Sequence, residues 1–208
     1  GVAMIALALG IATDAPMALQ RMIPDYTASL EASTEGACED GACEPEHEVQ
    51  ASTDFAQCAR SGAKDCGTLP AIGATEWLNS LGEPHGTVTL VDFWSSSCVN
   101  CAREIPEVER IYEKYKDAGL VVIGVHSPQQ AHEREASVVS GAASRLGITY
   151  PVALDPDLEA FQAYGATAWP THYLAGPDGQ LRSVGRGTSG LEEQVRALLT
   201  EAGATLPD

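Results

Sequence analysis

The stretch Val88 to Pro106, VTLVDFWSSSCVNCAREIP, decides the fold. Val88, Leu90, Val91, Phe93 and Trp94 are too continuously apolar for a strand with one wet face, which predicts a sheet covered on both sides. Ser95 to Ser97 break the run. Cys98-Val99-Asn100-Cys101 follows, and then a helix. Ile105, Val108, Ile111, Tyr112 and Tyr115 recur at helical spacing, with Glu104, Glu107, Glu109 and Lys114 largely between them. A dithiol therefore sits where a buried strand hands over to a helix. The first helical turn presents unpaired N–H groups and the positive end of the dipole. A thiolate at Cys98 is stabilised there, and the thiolate is the nucleophile. The spacing puts both sulfurs on one face of that turn, with Cys98 as candidate attacking thiolate and Cys101 as resolving thiol.

Two acids belong to this constellation. Asp92 lies inside the apolar strand. A bare carboxylate there is expensive to bury ionised, so its pKa is expected to rise toward neutrality, as a proton acceptor for a thiol requires. Glu104 lies one turn beyond Cys101, either as an acid that tunes the thiols or as a solvated helix residue.

Outward from this core, Thr75 to Leu81 is expected to be a short helix ended by Gly82. Leu120 to Val125 reads as another fully buried strand. A strand–helix–strand of this length implies a parallel pair. Ala102 to Asp117 is the expected extent of the helix after the dithiol, with a kink at Pro106. Gln129 to Gly147 is a polar, Ala-rich helical stretch. His126 and His132, near its start, are read as solvated or capping. Asp155-Pro156 opens a helix. Thr171 to Ala175 and Gln180 to Gly185 form a hairpin around Pro177-Asp178-Gly179. Ser189-Gly-Leu-Glu192 reads as a capping box, and Leu191, Val195, Leu198 and Leu199 give the last helix a buried face.

The N-terminal part is different. Residues 1–23 are read as a truncated membrane segment, because GVAMIALALGIA is apolar on every face yet shorter than the ~20 residues a span needs. A buried N-terminal helix is the alternative. Residues 24–71 read as a flexible acidic linker, rich in Ala, Ser, Thr, Glu and Gly. It carries Cys38, Cys43, Cys58 and Cys66, candidates for structural disulfides. Three readings stand: local loops Cys38–Cys43 and Cys58–Cys66, a soft metal site with His47, or a redox shuttle feeding Cys98. One His and two Cys make an incomplete set for a closed zinc site, which favours the loops. Residues 72–208 are the expected catalytic domain.

The chain has 208 residues, 44% of them hydrophobic, so a full core is available. Its net charge of −17 and lack of a basic stripe argue against nucleic acid as a partner. Six cysteines read as metal sites or catalytic residues in a cytosolic protein, and outside the cytoplasm as four in structural bridges and two catalytic, with the pairing open.

Val-Asp-Phe-Trp, a polar turn and Cys-x-x-Cys resemble the thioredoxin superfamily. Cys101-Ala-Arg-Glu104-Ile-Pro106 is similar to the TlpA/ResA-like extracytoplasmic thiol–disulfide reductases, and Trp169-Pro170-Thr171 to their cis-proline site. Asp92-Phe-Trp, Cys-Val-Asn-Cys, Val122-Ile-Gly-Val-His126 and Tyr150-Pro-Val-Ala-Leu-Asp155 resemble the soluble domain of DipZ-type proteins, where it follows a membrane domain that carries electrons. The resemblance covers roughly Gly73 to Ala202. It implies an α/β fold with a central mixed sheet, helices on both faces and a TlpA-like helical insert. It implies Asp92 as the buried acid, Glu104 as the acid beside the dithiol, and Trp169 and Pro170, with Val99 and Asn100, as the surface that meets substrate. Ser97, where plain thioredoxins carry Trp, departs from that pattern. The implied function is reduction of protein disulfides outside the cytoplasm in a membrane-anchored protein. The partners would be apocytochrome c or another redox protein and a membrane electron donor, with no cofactor. The rivals are a peroxiredoxin-like peroxidase, against which Cys101 argues, and a copper or zinc carrier using the dithiol with Cys38, Cys43 and His47.

Overall fold

The structure is a computed structural model that describes residues 55–63 and 65–207. Residues 1–23, Cys38, Cys43 and His47 lie outside that range. Among the described residues no helix is long and apolar enough to cross a membrane.

Six strands form one mixed sheet. They are β1 (Trp77–Leu78), β2 (Val88–Trp94), β3 (Leu120–His126), β4 (Val152–Leu154), β5 (Thr171–Ala175) and β6 (Leu181–Gly185), ordered β1-β4-β3-β2-β5-β6. The expected parallel pair is present: β2 runs beside β3 from Val88↔Leu120 to Trp94↔His126. β5 pairs with β2 and β6 antiparallel, closing the expected hairpin.

The continuous apolar runs are explained by two separate cores, one on each face. Val88, Leu90, Trp94, Val122 and Leu174 face α1 (Val99–Tyr115), α2 (Ala136–Leu146) and α4 (Leu191–Glu201). Their neighbours in sequence, Val91, Phe93, Ile123, Val125 and Tyr173, face α3 (Glu159–Ala163) and the helical residues 55–60. Alternation is thus intact in the geometry although both faces are apolar.

Several expectations need correction. Trp77 and Leu78 form an edge strand rather than a helix. Asn79, in the left-handed region at φ 60°, donates through Nδ2 to the carbonyls of Ile148 and Tyr150 and turns the chain there. α1 begins at Val99 and runs past Pro106 to Tyr115, and Gly119 at φ 103° ends the short 3-10 turn Lys116–Ala118. The stretch after β3 divides into a 3-10 turn, Ala131–Arg134, and α2. Asp155 does cap α3, but from a distance: its carboxylate accepts the N–H groups of Ala160 and Phe161. No side chain caps α4. Glu192 instead accepts from Arg110 and Tyr115 of α1, and the Arg110 contact leads in drawing its pKa down to about 2.

The largest correction concerns residues 55–71, which the linker reading included. Phe55, Ala56, Ala59 and Ile72 are buried, and Phe55 packs edge-on against Tyr164 at 5.8 Å. Cys58 and Cys66 are bonded, while the other loop of that reading, Cys38–Cys43, lies outside the described residues. Gly67 and Leu69 exchange backbone hydrogen bonds with Leu181 and Gly179. Gly165, at φ 68°, lacks the Cβ that would lie 2.4 Å from the Ala56 carbonyl, so the helix at 55–60 sits directly on the loop leading to Pro170.

This packing predicts that Phe55→Ala lowers the unfolding free energy by ~3 kcal/mol, as for other buried aromatic truncations. Gly165→Ala is expected to destabilise as well, through both φ and the Ala56 contact. Urea titration measures both; losses below about 0.5 kcal/mol, the level of neutral surface changes, would return residues 55–66 to the status of a linker.

Candidate active site

The central strand β2 ends at Trp94, and the turn Ser95–Ser97 lifts the chain from there into α1. Cys98 is the N-cap, in extended conformation, and its Sγ accepts the Cys101 N–H at 3.1 Å. Cys98 and Cys101 are bonded to each other. Both are buried, Cys98 at 8% exposure and Cys101 at 1%. Only the first reaches the surface to any degree. Val99 and Asn100 are exposed between them, Val99 at 65%.

The Trp169–Pro170 peptide is cis. Trp169 stacks on Phe161 with ring centroids 4.4 Å apart, and Thr171 Oγ1 donates to the Ala168 carbonyl. The loop before β5 is therefore held by side chains from α3 and from within itself.

Asp92 is 1% exposed. It lies on the face of β2 that also carries Leu90 and Trp94, the face covered by α1. It is not the bare carboxylate that sequence reading assumed. Directly across the antiparallel pair stands His172, with Nδ1 3.3 Å from Asp92 Oδ1. The two atoms are close but poorly aligned for a hydrogen bond, so the contact is one of charge. On its other side His172 Nε2 lies 3.1 Å from Glu104 Oε2. Burial opposes a charge on this imidazole. The Asp92 and Glu104 carboxylates overcome it, and the pKa is pushed up to about 9. Sequence reading passed over His172. The available signal was a lone titratable side chain in the apolar strand THYLA, matching the lone acid in VTLVDFW.

A second polar cluster supports the turn before Cys98. Glu133, fully buried, accepts from the hydroxyls of Ser95 and Ser96 and from the N–H groups of Gln129 and Gln130. Burial opposes its charge. Hydrogen bonds from Ser97, Gln129, Ser95 and Ser96 outweigh that and bring its pKa down to about 2. His126, expected to be solvated or capping, is buried at 1% exposure. Its Nε2 accepts the Ser96 N–H at 3.1 Å, and burial holds its pKa down at about 4. His132 is exposed. Among the described residues no group of three or more His, Cys, Asp or Glu is placed to hold a metal ion.

A thioredoxin-like fold with a bonded Cys-x-x-Cys pair capping a helix defines a thiol–disulfide oxidoreductase. The chain belongs to the AhpC/TSA family, whose model matches residues 69–184. It is 40% identical to the protein DipZ of Mycobacterium tuberculosis over 225 residues, covering 98% of this chain and 32% of that protein. The chain thus spans about a third of that relative's length. It is 33% identical to the thiol-disulfide oxidoreductase ResA of Halalkalibacterium halodurans, covering 55% of this chain and 61% of ResA. The solution structure of a thioredoxin-like protein in its oxidised form superposes with a TM-score of 0.58 at 29% identity, over 65% of this chain and 96% of that one.

The two buried histidines predict opposite pH limbs of stability. His172 has a folded pKa raised from about 6.5 to about 9, so its contribution is complete below pH 6.5 and is lost as pH rises to 9. His126 has a folded pKa lowered from about 6.5 to about 4, so stability falls as pH drops through that window. At about 1.36 kcal/mol per unit, each limb amounts to at most roughly 3 kcal/mol. Urea unfolding across pH is expected to show His172→Gln flattening the alkaline limb and His126→Gln the acid limb. Unaltered slopes in both variants would contradict these protonation states.

Proposed function

We propose that this protein reduces disulfide bonds of protein substrates outside the cytoplasm, using Cys98 and Cys101 as its redox pair. The observation that carries the reading is the placement of Cys98 as N-cap, with its sulfur receiving a helix N–H and bonded to a more deeply buried Cys101.

Each chemical step follows from that placement. In the reduced protein the Cys98 thiolate attacks one sulfur of the substrate disulfide. A mixed disulfide forms, and the other substrate sulfur leaves as a thiolate that takes a proton from water. The Cys101 thiol then passes its proton to Asp92 and attacks Cys98 Sγ. The second substrate sulfur leaves, two electrons have moved to the substrate, and the Cys98–Cys101 bond is closed. Val99, Asn100, Trp169 and Pro170 form the surface on which the substrate segment lies. Resemblance to DipZ-type and ResA-like proteins supports an envelope location, a membrane electron donor and apocytochrome c or another redox protein as substrate. The bond between Cys98 and Cys101 favours this reading over a peroxidase, which places no demand on a thiol at position 101.

Cys101→Ser is expected to trap mixed disulfides with substrate, and Cys98→Ser to abolish both trapping and turnover in an insulin-reduction assay. Trapping through Cys101 in the Cys98 variant would reverse the two roles. Asp92→Asn is expected to slow resolution of the mixed disulfide at least ~10-fold near neutral pH, within the range seen for loss of a positioned base. A rate unchanged between pH 6 and 9, roughly the span of thiol pKa values, would remove Asp92 from the mechanism.

A further inference from the structure

A reducing dithiol has to form a thiolate, and here the strand that leads to it and the helix that it caps each carry a carboxylate, Asp92 and Glu104. Asp92 lies under α1, and Glu104 lies one helical turn beyond Cys101. A thiolate beside two carboxylates is disfavoured by like-charge repulsion. Between the two carboxylates stands His172, whose side chain is 5% exposed. Its two ring nitrogens face one carboxylate each, at 3.3 and 3.1 Å.

We propose that His172 is a positioning residue of the dithiol, a buried cation that offsets the charge of Asp92 and Glu104 so that Cys98 ionises next to them. The inference rests on the reading of Cys98 as the nucleophile.

Three features of the fold make this assignment specific. His172 is fixed by the register of β5 on β2, opposite Asp92. It is two residues past the cis-proline, so the element that presents the substrate surface also carries the cation. Its second contact is to α1, the helix whose N-terminus holds Cys98. The remaining surroundings add little that would compete. A cavity of about 100 Å³ beside His172 is lined by Ser183, Arg186, Ser189 and Gln194, so α4 offers a neutral amide and the segment after β6 one arginine. Among the described residues, the acids in contact with His172 are Asp92 and Glu104 alone.

The cation has a signed consequence for the redox couple. A positive charge near Cys98 favours the thiolate and therefore the reduced form. Its removal makes the reduced form less stable and the couple more reducing.

The experiment is the ionisation of Cys98 in the reduced full chain. It is followed by the pH dependence of iodoacetamide alkylation at the Cys98 peptide, together with the equilibrium of the Cys98–Cys101 pair with glutathione. His172→Gln is expected to raise the Cys98 pKa by about one unit. It should shift the glutathione equilibrium about tenfold toward the disulfide, close to 30 mV for a two-electron couple. His172→Lys is expected to restore most of both. Glu104→Gln is expected to move the Cys98 pKa the opposite way, downward, which a merely structural contact does not predict. If the His172 variants fail to fold, NMR titration of the His172 imidazole in the reduced full chain decides instead, and a neutral ring at about pH 7 would overturn the proposal. An unchanged Cys98 pKa in His172→Gln, or an upward shift in Glu104→Gln, would overturn the proposal while leaving the dithiol reading intact. Alkylation that tracks Cys101 rather than Cys98 would instead overturn the dithiol reading beneath it.

Discussion

A carboxylate in the middle of a sheet covered on both faces is unfavourable unless a charge of opposite sign is placed against it. Asp92 is such a carboxylate, and the antiparallel register of β5 on β2 sets His172 across from it. That one cross-strand pair couples three parts of the molecule. It ties the strand leading to the dithiol to the strand leaving Pro170, and through Glu104 it reaches α1. Removing His172 leaves two carboxylates facing an apolar layer with no cation between them. The chemistry at the helix terminus and the packing of the sheet therefore share a single electrostatic constraint.

The turn that presents Cys98 is held by a second, independent set of contacts. Glu133 gathers two serine hydroxyls and two backbone N–H groups, and His126 receives a third N–H from Ser96. The two histidines of the site are thus in opposite states near neutral pH. His126 is neutral because it is buried against Trp94 and must accept a hydrogen bond. His172 is charged because two acids surround it. The same side chain serves as acceptor in one place and cation in the other, and the neighbours decide which.

The helical residues 55–60 extend this logic to the substrate surface. They cover the face of the sheet opposite the dithiol helix and rest on Gly165, five residues before Pro170. Stacking of Trp169 on Phe161 holds the same loop from α3. The cis-proline surface is supported by elements far apart in the chain, residues 55–60 and α3, and the Cys58–Cys66 bond secures the first of them.

What the sequence determined alone was the set of elements with the strongest local signatures, while the helix expected at Thr75–Leu81 and the capping box at Ser189 gave way to tertiary contacts. Val88 to Trp94 and Leu120 to Val125 announce buried strands by unbroken hydrophobicity. Cys98 and Cys101 announce themselves by position at a strand-to-helix junction, and Pro177-Asp178-Gly179 by turn chemistry. What only the tertiary structure decided was who stands next to whom. His172 is 80 residues from Asp92, and no periodicity links them. Glu133 reads as one more acid on a polar stretch until the chain folds it under Ser95 and Ser96. Residues 55–71 look like linker because a few small apolar side chains and one phenylalanine carry no helical period. Phe55, Ala56 and Ala59 are nevertheless buried, and the missing Cβ of Gly165 leaves room for the Ala56 backbone. The physical reason is common to all three: burial and charge compensation are properties of a neighbourhood, and strand register and close packing create that neighbourhood from residues far apart in the chain.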